Sequence, residues 1–223
     1  MERHVSMDEI SDGKRYRSSD MAKLGCKECE GCSACCHQVG DSIILDPWDV
    51  YMLTTHLNRS MESLLTKEIA LGVVDGLILP HLHLESEETG CSFLSEAGRC
   101  QIHSFRPGIC RLFPLGRIYE NGSFSYFLQT KECHIQNRTK VKISKWLGIP
   151  ELPVYEKFIT DWHYFCKGIQ ERAKEMEPEI QKNCSMYVLQ NFYMTPYAEA
   201  FYPEFYARLD KAKNTLGIGK GRE

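Results

Sequence analysis

Eight of the eleven cysteines in this chain fall into two groups, and that arrangement constrains the fold more than any other feature. Cys29, Cys32, Cys35 and Cys36 lie within eight residues, and Cys91, Cys100, Cys110 and Cys133 form a looser second group. Two disulfides inside the first group would need strained loops, because bridged Cα atoms sit about 4.4–6.8 Å apart with a fixed dihedral angle. A metal ion or an iron–sulfur cluster takes several thiolates from one tight loop without that strain. Gly31, Ser33 and Ala34 keep the spacers small enough for such a turn. Free thiols buried by packing are common, but four in eight residues, matched by four more downstream, do not fit that reading.

The odd cysteine total argues against a complete disulfide framework. Residues 1–20 are polar and charged, without an apolar stretch of signal-peptide length. No run approaches 18 apolar residues, so no membrane span is expected. These features place the chain in a reducing cytoplasm, where clustered cysteines are metal ligands or catalytic groups. At 223 residues, 43% apolar and 26% charged, the chain is long enough for one good core. A net charge of −3 gives no general case for nucleic acid. Ionised thiols would add negative charge, which metal and the arginines Arg99, Arg106, Arg111 and Arg117 would offset.

The patterning predicts an α+β fold in three parts: a flexible arm over 1–25, a cysteine-cluster metal-binding domain over 26–150, and a helical extension over 151–223. Ser42-Ile-Ile-Leu45 reads as a buried strand or extended piece, and Asp46-Pro47 as a helix start, with the helix ending near Asn58. Ser60 is expected to cap a helix running to Leu71 and stopped by Gly72. His81 and His83 alternate with Leu82 and Leu84, which reads as a strand with the histidines exposed. Segment 89–114 lacks regular periodicity. Asn121-Gly122 between Arg117–Tyr119 and Phe124–Leu128 is a hairpin signal that leads to Cys133. Apolar residues at helical spacing predict a helix of about five turns from Pro153, a second over 179–193, and a third over 198–216 kinked at Pro203. Phe192, Tyr193, Tyr197, Phe201, Tyr202, Phe205 and Tyr206 read as helix-core packing, and Cys166 and Cys184 as core thiols.

The stretches Cys29-x2-Cys32-x2-Cys35-Cys36, Cys91-Ser-Phe-Leu, Cys100-Gln-Ile-His103, Arg106-Pro107 and Cys110-Arg111-Leu-Phe113-Pro114 resemble the YkgJ-type CxxCxxCC cysteine-cluster family. The resemblance covers about residues 26–136. It implies zinc or iron chelation, or an iron–sulfur cluster, with the matching cysteines as ligands. Flagellin lysine-N-methylases look similar over the same cysteines, which implies protein-lysine methyl transfer as an alternative. His103 stands where many members have Tyr, so it is either an extra ligand or a hydrogen-bonding replacement.

The expected ligands are Cys29, Cys32, Cys35, Cys36, Cys91, Cys100, Cys110 and Cys133. Arg106 and Arg111 either contact a cluster or an anionic cofactor, or pair with a local carboxylate to stiffen the loop. His37, His134 and Cys26 lie beside stronger candidates. An iron–sulfur cluster, of the 4Fe-4S type, is favoured over zinc. Neighbouring Cys35 and Cys36 are expected to diverge, which suits two nearby centres or a bridging role better than one tetrahedron. The chain lacks a GxGxxG or P-loop fingerprint, an obvious Ser-His-Asp pattern, and the CxxxCxxC spacing of radical enzymes. The expected role is a metal-binding protein in redox or metal handling, with metal ions and a protein partner or substrate as its partners. The alternatives are a lysine N-methyltransferase-like enzyme and a structural zinc module for protein interaction.

Overall fold

The computed structural model describes residues 7–25, 32–37, 42–86, 90–133, 135, 137–198 and 200–218. In chain order the elements are α1 (Met7–Ile10), β1 (Met21–Gly25), α2 (Pro47–Leu57), α3 (Met61–Leu64), β2 (Ile69–Val74), β3 (Leu77–Leu82), β4 (Leu84–Ser86) and β5 (Gly90–Cys91). They continue with α4 (Gly108–Leu112), β6 (Leu115–Glu120), β7 (Ser123–Leu128), β8 (Thr139–Lys142), α5 (Ile143–Leu147), α6 (Leu152–Ala173), α7 (Pro178–Leu189) and α8 (Phe201–Leu216). Short 3-10 turns cover Ala34–Cys36 and His103–Phe105, and a π-helical turn covers Gln190–Met194. The strands form four antiparallel pairs, β1–β8, β2–β3, β4–β5 and β6–β7. The fold is α+β, as the patterning predicts.

Two compact units divide the chain. One holds the described residues of 1–40 and 84–160, the other those of 41–83 and 161–223. These boundaries differ from the expected break near 150, because helix α6 contributes its first residues to one unit and the rest to the other.

In the first unit, the segment expected to be a flexible arm is built in over its described part. β1 pairs with β8, and Ser11 and Tyr16 bridge to Gln129 and Tyr126. Ala22 and Leu24 alternate inward along β1 and are buried. The Asn-Gly hairpin forms as predicted, with Asn121 and Gly122 both at positive φ. A two-stranded hairpin is marginal alone, and this one is held against α6. The Tyr126 hydroxyl donates to Glu156 at 2.9 Å, and Arg117 lies 5.5 Å from the Phe124 ring centroid and 5.6 Å from that of Tyr155.

In the second unit, Asp46 and Asp49 form a reciprocal capping box at the start of α2, and Asn58 closes the helix in the left-handed region. The Ile43–Leu45 segment lies along β3, with the Leu45 amide donating to Pro80 and the Leu82 amide to Ile43. Ser60 caps α3 as expected, but the helix stops at Leu64. Asp75-Gly76 makes a second hairpin turn, and strand pairing takes the residues that helix periodicity had claimed. His81 is buried rather than exposed. Its ring occupies the space beside Gly72, where a Cβ would stand 3.2 Å from the imidazole. The long helix α6 forms as predicted, and α7 ends in the π-helical turn. Helix α8 starts at Phe201 without a kink, since Pro203 falls in the first turn, where its missing N–H has no intrahelical acceptor. Trp162, Phe165, Phe192 and Phe205 form the aromatic core of this unit, with ring centroids 5.0–6.1 Å apart. Cys166 is buried in α6 and Cys184 half-buried in α7. Among the described residues no helix is long and apolar enough to cross a membrane.

Candidate metal centre

The first cysteine group is shaped by the 3-10 turn over Ala34–Cys36. Here the Cys36 amide donates to the Ser33 carbonyl at 2.8 Å and the His37 amide to that of Ala34 at 3.3 Å. The second group begins in β5. Leu94 bridges Cys100, the Leu94 amide donates to the Cys91 carbonyl at 2.8 Å, and the Gln101 amide to Phe93 at 2.9 Å. Buried Phe93 and Ile102 anchor this loop from below.

Glycine lets the two groups meet. At Gly90, with φ +76°, a Cβ would stand 2.7 Å from His37 Nδ1 and 2.9 Å from the Cys36 carbonyl oxygen. At Gly98 a Cβ would reach within 3.5 Å of Ser33 Oγ. The first loop therefore lies on the second at both ends of the Cys91–Cys100 segment.

Cys35, Cys36, Cys91 and Cys100 share one electrostatic neighbourhood. The Cys36 thiol donates to the Cys35 sulfur, and this bond, assisted by the Arg106 charge, lowers the Cys35 pKa to about 6. The same bond holds the Cys36 proton in place, and burial and the nearby charges of Cys35, Cys100 and Cys91 push that thiol further up. Burial raises Cys91 and Cys100, opposed at each by a backbone N–H two residues on, from Phe93 and Ile102. Arg106 also lowers Cys100. Neighbouring Cys35 and Cys36 therefore do not diverge, because the tight turn brings both sulfurs to one side.

Cys32 is exposed just before the turn, Cys110 is half-buried in α4, and Cys133 is half-buried beyond β7. Cys29, Cys26 and His134 lie outside the described residues.

The two candidate arginines differ. Arg106 donates to His103 Nε2 at 2.8 Å, and its Nε is buried without a hydrogen-bond partner among the described residues. Arg111 is buried and donates to the carbonyls of Ser104, Arg106, Leu147 and Gly148. It ties the cysteine segment to the C-terminal end of α5 and stiffens the loop through these carbonyls. His103 keeps a lowered pKa from partial burial and from Arg106 and Arg111. A neutral ring accepting from Arg106 at Nε2 fits the hydrogen-bonding role and not an extra ligand at that nitrogen. Arg99 is exposed, and Arg117 lies over the Phe124 and Tyr155 rings.

Among the described residues no three His, Cys, Asp or Glu groups close into a ready-made coordination sphere. The donor chemistry nonetheless fits a cationic centre. Four thiols lie within electrostatic reach of one another, one of them with a pKa near neutrality, two receive amide N–H bonds, and a nearby arginine has a buried N–H unmatched among the described residues. The close approach at Gly90 and Gly98 escaped the sequence reading, although Gly90 directly precedes Cys91 and was its available signal.

Comparison with curated proteins and with solved structures gives no match. A family model described as "CxxCxxCC: Putative zinc- or iron-chelating domain" matches residues 28–143. That match takes in just over half of the 223 residues and all eight grouped cysteines, so the chain belongs to the CxxCxxCC family, whose description supports a general metal-binding role.

Proposed function

We propose that this protein holds an iron–sulfur cluster through its two cysteine groups and serves in redox or metal handling. The observation that carries the reading is the crossing of the Cys35–Cys36 loop over the Cys91–Cys100 loop at Gly90 and Gly98, which puts the four thiols within electrostatic reach of one another and of Arg106. A thiol with a pKa near 6 gives up its proton readily at neutral pH, as a metal ligand must. Amide N–H bonds to sulfur and a nearby guanidinium stabilise thiolate charge and tune a cluster's potential. Cys29, Cys32, Cys110 and Cys133 are the remaining ligand candidates. Eight thiols exceed the four that either one zinc tetrahedron or one 4Fe-4S cluster takes, so they serve two centres or one 4Fe-4S cluster with spare thiols beside it. When bound, such a centre would supply one-electron chemistry. In this reading Arg106 offsets ligand charge and Arg111 fixes the loop that presents Cys100 and Cys110.

Anaerobic purification, followed by an absorption spectrum over 300–700 nm and iron, zinc and acid-labile sulfide counts per chain, tests the reading. A brown protein with a shoulder near ~400 nm and matching iron and sulfide is expected. A colourless protein with stoichiometric zinc and no sulfide would overturn the cluster and leave the structural zinc module for protein interaction.

A further inference from the structure

Apart from the cysteines, the first unit carries a cleft of about 390 Å³ along the β1–β8 pair. We propose that this cleft binds a small, multiply charged oxyanion of the phosphate type, held by Lys14, Lys23, Arg138 and Lys140. The proposal does not rest on the metal reading.

Three observations carry it. The first is the balance of charge. Lys14, Lys23, Arg138 and Lys140 line the cleft, and Asp12 is the one carboxylate among the lining residues. Asp12 is already engaged, since it accepts from the Tyr16 hydroxyl and from the Lys14 amide. A surplus of cations in one cleft of a chain with net charge −3 is a local concentration and not a general basic surface.

The second is strand register. Lys23 stands directly opposite Lys140 in the antiparallel pair. Like charges at that position repel and weaken the pairing. A bound anion turns the repulsion into two attractions.

The third is Arg138, which is only partly exposed. Its Nε and Nη1 are buried and have no hydrogen-bond partner among the described residues. Buried guanidinium donors without an acceptor are costly; these two are closed to water, so an oxyanion in the cleft meets them with charge-assisted bonds once the Arg138 side chain turns towards it. Guanidinium and ammonium groups together suit a phosphate group, and the cleft volume falls within the range for small ligands.

The test is calorimetric titration of the reduced full chain with inorganic pyrophosphate at fixed ionic strength. Saturable binding to one site is expected, weakened at least about tenfold by Arg138→Gln. Lys140→Gln should weaken binding while raising the melting temperature of the anion-free protein, because it removes the lysine–lysine repulsion. Lys145→Gln, an exposed charge change on α5 outside the cleft, should leave binding within about twofold. Absence of saturable binding overturns the proposal. So does undiminished binding by Arg138→Gln, which would put the anion at the metal centre or diffusely on the surface. If Arg138→Gln fails to fold, a Lys23→Gln/Lys140→Gln variant decides, and unchanged affinity there overturns the proposal equally.

Discussion

The guanidinium of Arg111 donates to four backbone carbonyls. Replacing it by Met would leave those carbonyls without the donor they share. Arg111→Met should destabilise the protein by about 2–4 kcal/mol, read as a lower denaturant midpoint. An unchanged midpoint would mean that water replaces the guanidinium at no loss. The Cys35–Cys36 pair gives a pH prediction with a definite sign. In metal-free, reduced protein, site-resolved alkylation of Cys35 should rise through a midpoint near about 6 and level off above it, since the thiolate is the nucleophile. Cys36→Ala removes the donor that stabilises this thiolate and should move the midpoint up towards the ordinary thiol value of about 8.5. A midpoint that stays put would sink the hydrogen-bonded pair. The residue types needed for metal were legible from spacing alone. Which arginine stands by sulfur and which by carbonyls was not, because both flank Cys110 and only packing separates them.

At the scale of elements, the loop crossing at Gly90 is the most sensitive joint of the candidate centre. Gly90→Ala would place a methyl against His37 and the Cys36 carbonyl in a backbone region that L side chains rarely adopt. A cost of about 1–3 kcal/mol and a reduced metal content per chain are expected. Gly98→Ala is the fitting control, since it shares the positive φ, at +67°, but its Cβ meets Ser33 Oγ only at 3.5 Å. Equal metal loss in both variants would show that backbone strain, and not the crossing, matters. Local turn chemistry decided which elements could be read in advance. Asn121-Gly122 and Asp46-Pro47 carry their own geometry in adjacent residues, and both formed where expected. Asp75-Gly76 carries the same signal, but it followed a stretch with helical periodicity, and α3 was read too long. His81 was misplaced because the room for its ring comes from Gly72 on the neighbouring strand, a partner that alternation along one strand does not reveal.

At the scale of the whole molecule, the two compact units differ in what holds them. The second has a core of Trp162, Phe165, Phe192 and Phe205, whereas the first joins a core around Tyr126, Ile143, Tyr155 and Phe158 to an irregular segment that carries the thiol cluster. Metal removal under reducing conditions should therefore speed amide exchange in residues 90–133 by roughly tenfold or more, while residues around Phe192 and Phe205 keep their protection. Hydrogen exchange read by mass spectrometry checks this, and equal loss in both units would show that the metal does not act locally. By itself the sequence determined that helices α2 and α6 form and that the β6–β7 hairpin closes, because each depends on residues near one another in the chain. Only the tertiary structure decided that the loop of Cys35 and Cys36 lies against Gly90 beside Cys91, that β1 is built in rather than free, and that Lys23 opposes Lys140. Those outcomes depend on groups brought together from distant parts of the chain, and local propensity carries no record of such partners.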